Sequence, residues 1–298
     1  MNADHQTNEL DDLIVACRSG RQLLCDGAFG TQLFLRGLAP GECSMEWNER
    51  RPDDVAAVHR AYLDAGCNMI TTNSFSGNRL ALERHGLGEQ VEKLNRRAVE
   101  IARSVAGKDA WILGDVGPCG EFLEPLGDLS PEVLRDIFAE QISALSAVDA
   151  IIIETMSATD EMAVAIAAAK TTMPKLPVIA TYAFEKSAGK FHTMMGTSIE
   201  AAMNAAIAAG ADIVGANCGT NLTLDDYVNL AESLRSAAGN ALVILQPNAG
   251  CPQITPTGTV YSATPAEMAD AARRIRDAGI NIVGGCCGTS PELLAAMK

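Results

Sequence analysis

Three of the nine cysteines in this 298-residue chain fall at matching points of an internal repeat. Residues 209–220 and 278–289 share one pattern: a helix end, a glycine stop, a polar residue, an apolar strand, then Cys-Gly-Thr. In register, Cys218 matches Cys287 and Asn217 matches Cys286; residues 65–70 repeat the first half. Three thiolates converging at the open end of a fold match a catalytic zinc site, which uses four ligands and leaves one position for water or substrate. A substrate thiol taking that position loses its proton to the metal. The chemistry would be activation of a thiol as nucleophile, not activation of water for hydrolysis. The same three residues also read as small buried hydrophobes, the common state of a free cysteine. A Cys286–Cys287 disulfide would be strained. Cys17, Cys25, Cys43 and Cys67 read as core, and Cys119 and Cys251, which follow strand ends, as structural. His5 sits in the N-terminal tail, His59 and His85 on helices, and His192 in a solvated loop after the fifth strand.

The elements that would carry these cysteines are legible as alternating short apolar runs and longer Ala-rich amphipathic stretches. Eight strands are expected at about 22–26, 68–72, 111–115, 149–154, 177–182, 211–217, 241–247 and 280–286. Near-continuous runs such as Ala150-Ile151-Ile152-Ile153 suit strands buried on both faces of a parallel sheet. Ser130-Pro131, Thr264-Pro265 and Ser290-Pro291 each place a capping hydroxyl before a proline that can open a helix. Gly66, Gly107, Gly210, Gly239 and Gly279 sit where helices should stop. Eight β-then-α units without a composition break favour a single α/β domain, a closed (β/α)8 TIM barrel over residues 20–298. Residues 1–19 read as a helical lead-in that could plug the barrel floor. The strand C-terminal ends form the active face of such a barrel. Cys218 and Cys287, at equal depth on alternate strands, should converge there, with Gly284, Gly285 and Gly288 allowing the turn that brings Cys286 in.

Composition removes other classes. Lys+Arg number 23 against 37 Asp+Glu, a net charge of −14. A basic face for nucleic acid is therefore not expected, nor attraction to an anionic membrane. The longest apolar run, Met162 to Ala169, is far short of the roughly 18 residues a membrane span needs. Free thiols and the lack of a signal-peptide pattern at Met1 to His5 point to a reducing, cytoplasmic setting. Two rival readings remain at this level. Gly284, Gly285 and Gly288 could cradle a phosphate in a barrel lyase or isomerase. Schiff-base chemistry fits less well, because none of the seven lysines ends a strand. The second rival is a non-catalytic thiol or zinc carrier.

The motifs Asp26-Gly27-Ala28-Phe29-Gly30-Thr31, Thr72-Asn73-Ser74-Phe75, Gly117-Pro118, Ile153-Glu154-Thr155, Asn217-Cys218, Pro247-Asn248-Ala249-Gly250 and Gly284-Gly285-Cys286-Cys287-Gly288-Thr289 resemble those of the zinc-dependent homocysteine S-methyltransferases. The resemblance runs from about residue 20 to the end. It implies a (β/α)8 barrel, zinc on Cys218, Cys286 and Cys287, and methyl transfer to a thiol, typically homocysteine, giving methionine. It also implies that Asp26 and Glu154 hold the amino acid. The turn Gly27-Ala28 to Gly30 can offer backbone N–H groups to a carboxylate. Asn73 would order the groups around the substrate, and Asn248 would orient a ligand or touch the metal. Residues 117–128 look more like corrinoid-linked members than betaine- or sulfonium-using ones. The donor would then be methylcobalamin, free or on a separate corrinoid protein. S-methylmethionine, betaine, or a different acceptor thiol are the alternatives.

Overall fold

The computed structural model describes residues 12–255 and 258–298; His5 and the first part of the expected lead-in lie outside the described residues. Twelve strands are present among them. In chain order these are β1 (Leu23–Leu24), β2 (Met69–Thr71), β3 (Trp111–Val116), β4 (Ala150–Met156), β5 (Val178–Tyr182), β6 (Phe184–Ser187), β7 (Lys190–Thr193), β8 (Ile213–Cys218), β9 (Leu242–Pro247), β10 (Gln253–Thr255), β11 (Gly258–Val260) and β12 (Ile282–Val283). Eight of them form one parallel sheet in the order β1-β12-β9-β8-β5-β4-β3-β2. A parallel bridge between Cys25 and Met69 joins its two ends into a (β/α)8 barrel. The eight barrel strands are those expected from the sequence. The two antiparallel hairpins, β6-β7 and β10-β11, are not, because each is short and half-exposed and carries no apolar run.

The helices begin and end where the side chains dictate. Ser130, Thr264 and Ser290 accept hydrogen bonds from the backbone N–H three residues on, with proline at the first helical position. All five stop glycines have positive φ, which costs glycine little and other residues more. His85 departs from expectation: it lies in the turn after the helix Arg79–Glu83 rather than on it.

Inside the barrel, Leu23, Met69, Trp111, Leu113, Ile152, Ile179, Ile213, Leu242, Ile244 and Ile282 form one buried cluster. The helix Leu13–Arg18 adds Leu13, Ala16 and Cys17 to that cluster, so it covers the end of the barrel at which the strands begin. A second and larger cluster fills the layer between strands and helices. Among the described residues no helix is long and apolar enough to cross a membrane. With its floor filled by apolar side chains, the barrel carries its cavity at the end where the strands finish.

Ile152 is fully buried in the interior cluster, whereas Ile207 is 37% exposed on the helix Ile199–Ala209. Ile152→Ala should lower the unfolding free energy by about 2–5 kcal/mol. Ile207→Ala should change it by about 0.5 kcal/mol or less. Urea titration of both variants checks the pair, and comparable losses would argue against a packed barrel interior.

Candidate metal centre

Cys218 ends β8, and Cys286 and Cys287 follow β12. Their sulfurs all lie within 4.8 Å of one another, with Cys218 Sγ 3.9 Å from Cys287 Sγ. A tetrahedral ion with metal–sulfur bonds of about 2.3 Å separates its sulfurs by about 3.8 Å, so the donor set fits a small soft cation. The route to convergence differs from the simple equal-depth expectation. Ala216 and Val283 both pair with Leu245, so the two repeats are offset in depth. Gly284 and Gly285 then extend the chain past β12. The Cys286 N–H reaches Pro247 O at 2.8 Å, and Pro247 itself pairs with Cys218. Gly288, at φ +78°, turns the chain so that Cys287 O accepts from Ala249 N.

Each sulfur also has a donor outside the trio. Asn217 Nδ2 points at Cys286 Sγ at 3.8 Å. The Gly219 N–H serves Cys218, and the Tyr261 hydroxyl serves Cys287. Hydrogen bonds from Cys218 and Cys286 draw the Cys287 thiol down to about 3, while the same network holds Cys286 well above the ordinary thiol range. Cys218 is pushed up as well, so the network by itself favours one thiolate, on Cys287, and keeps protons on its two neighbours.

The sulfurs face a cavity of about 310 Å³ whose wall also carries Asp26, Asp115 and Glu154 and, among the described residues, no lysine, arginine or histidine. Asp26 is fixed, accepting from Thr71 N at 2.8 Å and from the Thr71 hydroxyl at 3.2 Å. Burial pushes its carboxyl up to about 7 despite these bonds. Glu154 makes no hydrogen bond within the described residues. Burial, then the charges of Asp26 and Cys287, push it up to about 8. Asp115 is buried with Oδ1 unpartnered, and burial followed by Glu154 and Asp26 raises it well above the carboxylate range. An unpartnered acidic end of this kind suits a cationic group on the ligand.

Glu154 owes its direction to an irregularity. The β4–β5 register shifts between Ile153 and Met156, and Thr155 has φ +62°. For a β-branched residue that conformation is an outlier and costs on the order of 1–3 kcal/mol. Asn217 holds it: Oδ1 accepts from Thr155 N and from the Thr181 hydroxyl, both at 2.8 Å, and Nδ2 donates to Thr155 Oγ1 at 2.7 Å.

Of the residues singled out from the sequence, Asp26, Gly27, Ala28, Asn73, Glu154 and the three cysteines line this one cavity. Asn73 spends its amide Nδ2 on Ser44 O and Asn48 Oδ1, at 2.8 and 2.9 Å. Asn248 lies outside the lining; Nδ2 binds Gly219 O at 3.0 Å and its buried Oδ1 has no partner. Sequence reading missed Asp115, Tyr261 and the role of Asn217. Asp115 looks like part of an ordinary apolar strand, and Tyr261 arrives from the unforeseen β10-β11 hairpin. His192 is not in a loop but on β7, half-buried, with Nδ1 3.5 Å from Glu185. Cys17, Cys25, Cys43, Cys67 and Cys119 are buried as core residues. The phosphate cradle fails: the N–H groups of Gly284 and Gly285 are already given to the Leu245 and Asp26 carbonyls, and that of Gly288 to Thr31 Oγ1.

A family model described as homocysteine S-methyltransferase matches residues 23–298. Methionine synthase of Mycobacterium tuberculosis is 32% identical over 294 residues, covering 92% of this chain and 24% of that protein. Methionine synthase of Mycobacterium leprae is 30% identical over 308 residues, covering 96% and 25%. The chain therefore spans about a quarter of the length of these curated relatives. Among solved structures, the metallated form of the homocysteine methyltransferase MmuM from Escherichia coli is similar in fold, with a TM-score of 0.79 at 23% identity, covering 97% of this chain and 99% of that one.

The raised carboxyls have a consequence for stability. An acid with a raised native pKa keeps its proton while the unfolded chain, titrating near pH 4, gives its proton up. Stability is therefore lost as pH rises from about 4 toward the raised value. Asp115→Asn should stabilise the metal-free chain at pH 8 by on the order of 1–2 kcal/mol and much less at pH 5. Thermal unfolding at the two pH values decides it; an equal gain at both would remove the buried-charge explanation.

Proposed function

The chain belongs to the homocysteine S-methyltransferase family, and we propose that it transfers a methyl group to the thiol of homocysteine, giving methionine, with a zinc ion held by Cys218, Cys286 and Cys287. The observation that carries this reading is the pairing, in one cavity, of a three-sulfur wall with three carboxyls and no basic side chain. A small molecule bearing both a thiol and an ammonium matches the two ends. Held by three thiolates, zinc supplies a Lewis-acid position that favours the deprotonated form of an incoming thiol.

The chain's own residues do the rest. Glu154 and Asp115 face the cavity free of other partners and take the ammonium, whose charge also favours their ionised forms. Asp26, tied to Thr71, forms the fixed edge of that acidic end. The turn from Gly27 to Gly30 lines the same cavity and opens the helix Phe29–Leu35, whose first N–H groups have no helical acceptor and can meet the substrate carboxylate. Asn248 Oδ1, buried without a partner behind Gly219, is available to a ligand of the centre. The protein thereby orients the thiol sulfur for in-line attack on an activated methyl, without a protein nucleophile.

The donor reading is a methylcorrinoid presented on a separate protein. Phe34, Phe75, Phe122, Leu126, Met194 and Ile254 are exposed on the segments that follow β1, β2, β3, β5 and β9. An apolar rim around the mouth supports docking of a protein face better than capture of a small polar donor.

Purified chain should contain about one zinc per molecule. Cys287→Ala should lose both the zinc and methyl transfer to homocysteine while its unfolding midpoint stays close to the parent's. Full turnover in that variant would overturn the mechanism. In a panel of methylcobalamin bound to a corrinoid protein, S-methylmethionine and betaine, the protein-bound methylcobalamin should be the productive donor; turnover with a sulfonium or betaine alone would replace the donor reading and leave the zinc reading standing.

A further inference from the structure

One side chain touches both halves of the site without lining the cavity. Asn217, 1% exposed, sits next to Cys218 at the end of β8. Its amide orientation is set by its partners, because the Thr155 backbone N–H at 2.8 Å requires an acceptor and therefore the oxygen. The Thr181 hydroxyl, on β5, donates to the same oxygen at 2.8 Å. The amide nitrogen then faces Thr155 Oγ1 at 2.7 Å and Cys286 Sγ at 3.8 Å. Two consequences follow from these contacts. Thr155 is pinned on either side of its Cα in a left-handed conformation that a threonine does not adopt unaided. Glu154, the residue before it, is thereby aimed into the cavity where it has no partner of its own to hold it. At the other end, the amide N–H directed at Cys286 turns that sulfur toward Cys218 and Cys287.

We propose that Asn217 is a positioning residue that holds Glu154 and Cys286 in place at once, coupling the end of the cavity that takes the substrate ammonium to the sulfur trio. The proposal rests on the zinc and homocysteine reading above. It acts through other groups: the amide meets neither substrate nor metal. Hydrogen bonds of this outer kind orient ligand atoms, and their loss weakens metal retention by about 10–100-fold.

Two variants separate the arms. Asn217→Asp is isosteric and still accepts from Thr155 N and Thr181, and the Thr155 hydroxyl can turn to donate to the second oxygen. The N–H aimed at Cys286 is replaced by an acceptor, which also brings an ionisable group next to that sulfur. Asn217→Leu removes both arms. Zinc loss to an excess of chelator is followed in each zinc-loaded protein, and KM and kcat for homocysteine are measured separately. Asn217→Asp should release zinc about tenfold faster than the parent with KM nearly unchanged. Asn217→Leu should release zinc as fast and also raise KM about tenfold, because Glu154 loses its direction. A role confined to general folding would not split the two readouts. Parent-like zinc release in Asn217→Asp overturns the proposal by itself, even where Asn217→Leu does not fold. A folded Asn217→Leu with parental KM overturns the coupling. A parent protein that holds no zinc before any substitution is made overturns the metal reading instead, and so is told apart from failure of this one.

Discussion

Three thiols and three carboxyls share the wall of one cavity that has no basic side chain among the described residues, and the architecture has to hold together groups that would repel one another if all were ionised. Left to themselves, they would separate or draw in water. The barrel prevents this by spreading the six over five strand ends of a closed sheet: Asp26 after β1, Asp115 on β3, Glu154 on β4, Cys218 on β8, Cys286 and Cys287 beyond β12. Interior packing below them is apolar and continuous. The stabilisation that keeps the acidic end in place therefore comes from hydrophobic burial elsewhere in the barrel, and the site itself is left short of positive charge. That deficit is what a divalent cation and a ligand ammonium would relieve.

Strain and hydrogen bonding refine the arrangement. Thr155 and Cys218 are two of the four non-glycine residues with positive φ among those described, and both sit at the mouth. Residues forced into sparsely populated backbone regions persist only where surrounding contacts over-determine them. Asn217 does so for Thr155. For Cys218, the carbonyl accepts from the Tyr227 hydroxyl on the helix Leu224–Ala238. The neighbouring Gly219 N–H serves its sulfur. The apolar barrel supplies the rigidity, and a handful of buried polar contacts at its rim convert that rigidity into the direction of individual side chains.

The fold was largely legible because its signals are local. Apolar runs of four to six residues, hydroxyl-proline helix starts and glycine stops report on backbone geometry within a turn or two, and each was found where expected. The sulfur trio was legible for a different reason: the repeat around Cys218 and Cys287 tells that two chemically similar residues occupy similar places in successive units. The hairpins β6-β7 and β10-β11 were not legible, being too short and too exposed for a periodic pattern. With them went the placement of His192 and the arrival of Tyr261 beside Cys287.

The sequence by itself therefore determined the barrel, the cysteines and the carboxyls at Asp26 and Glu154, through periodicity, caps and motif. Only the tertiary structure decided that Asp115 joins those two carboxyls. It alone set the offset in depth by which Cys286 meets Pro247 and reaches Cys218, and it alone made Asn217 the tie between Glu154 and the sulfurs. The physical reason is one of range. A residue's helix or strand preference is settled by its neighbours along the chain, whereas the direction of a side chain at a strand end depends on register and hydrogen bonds to strands 40 to 70 residues away, which leave no trace in local order.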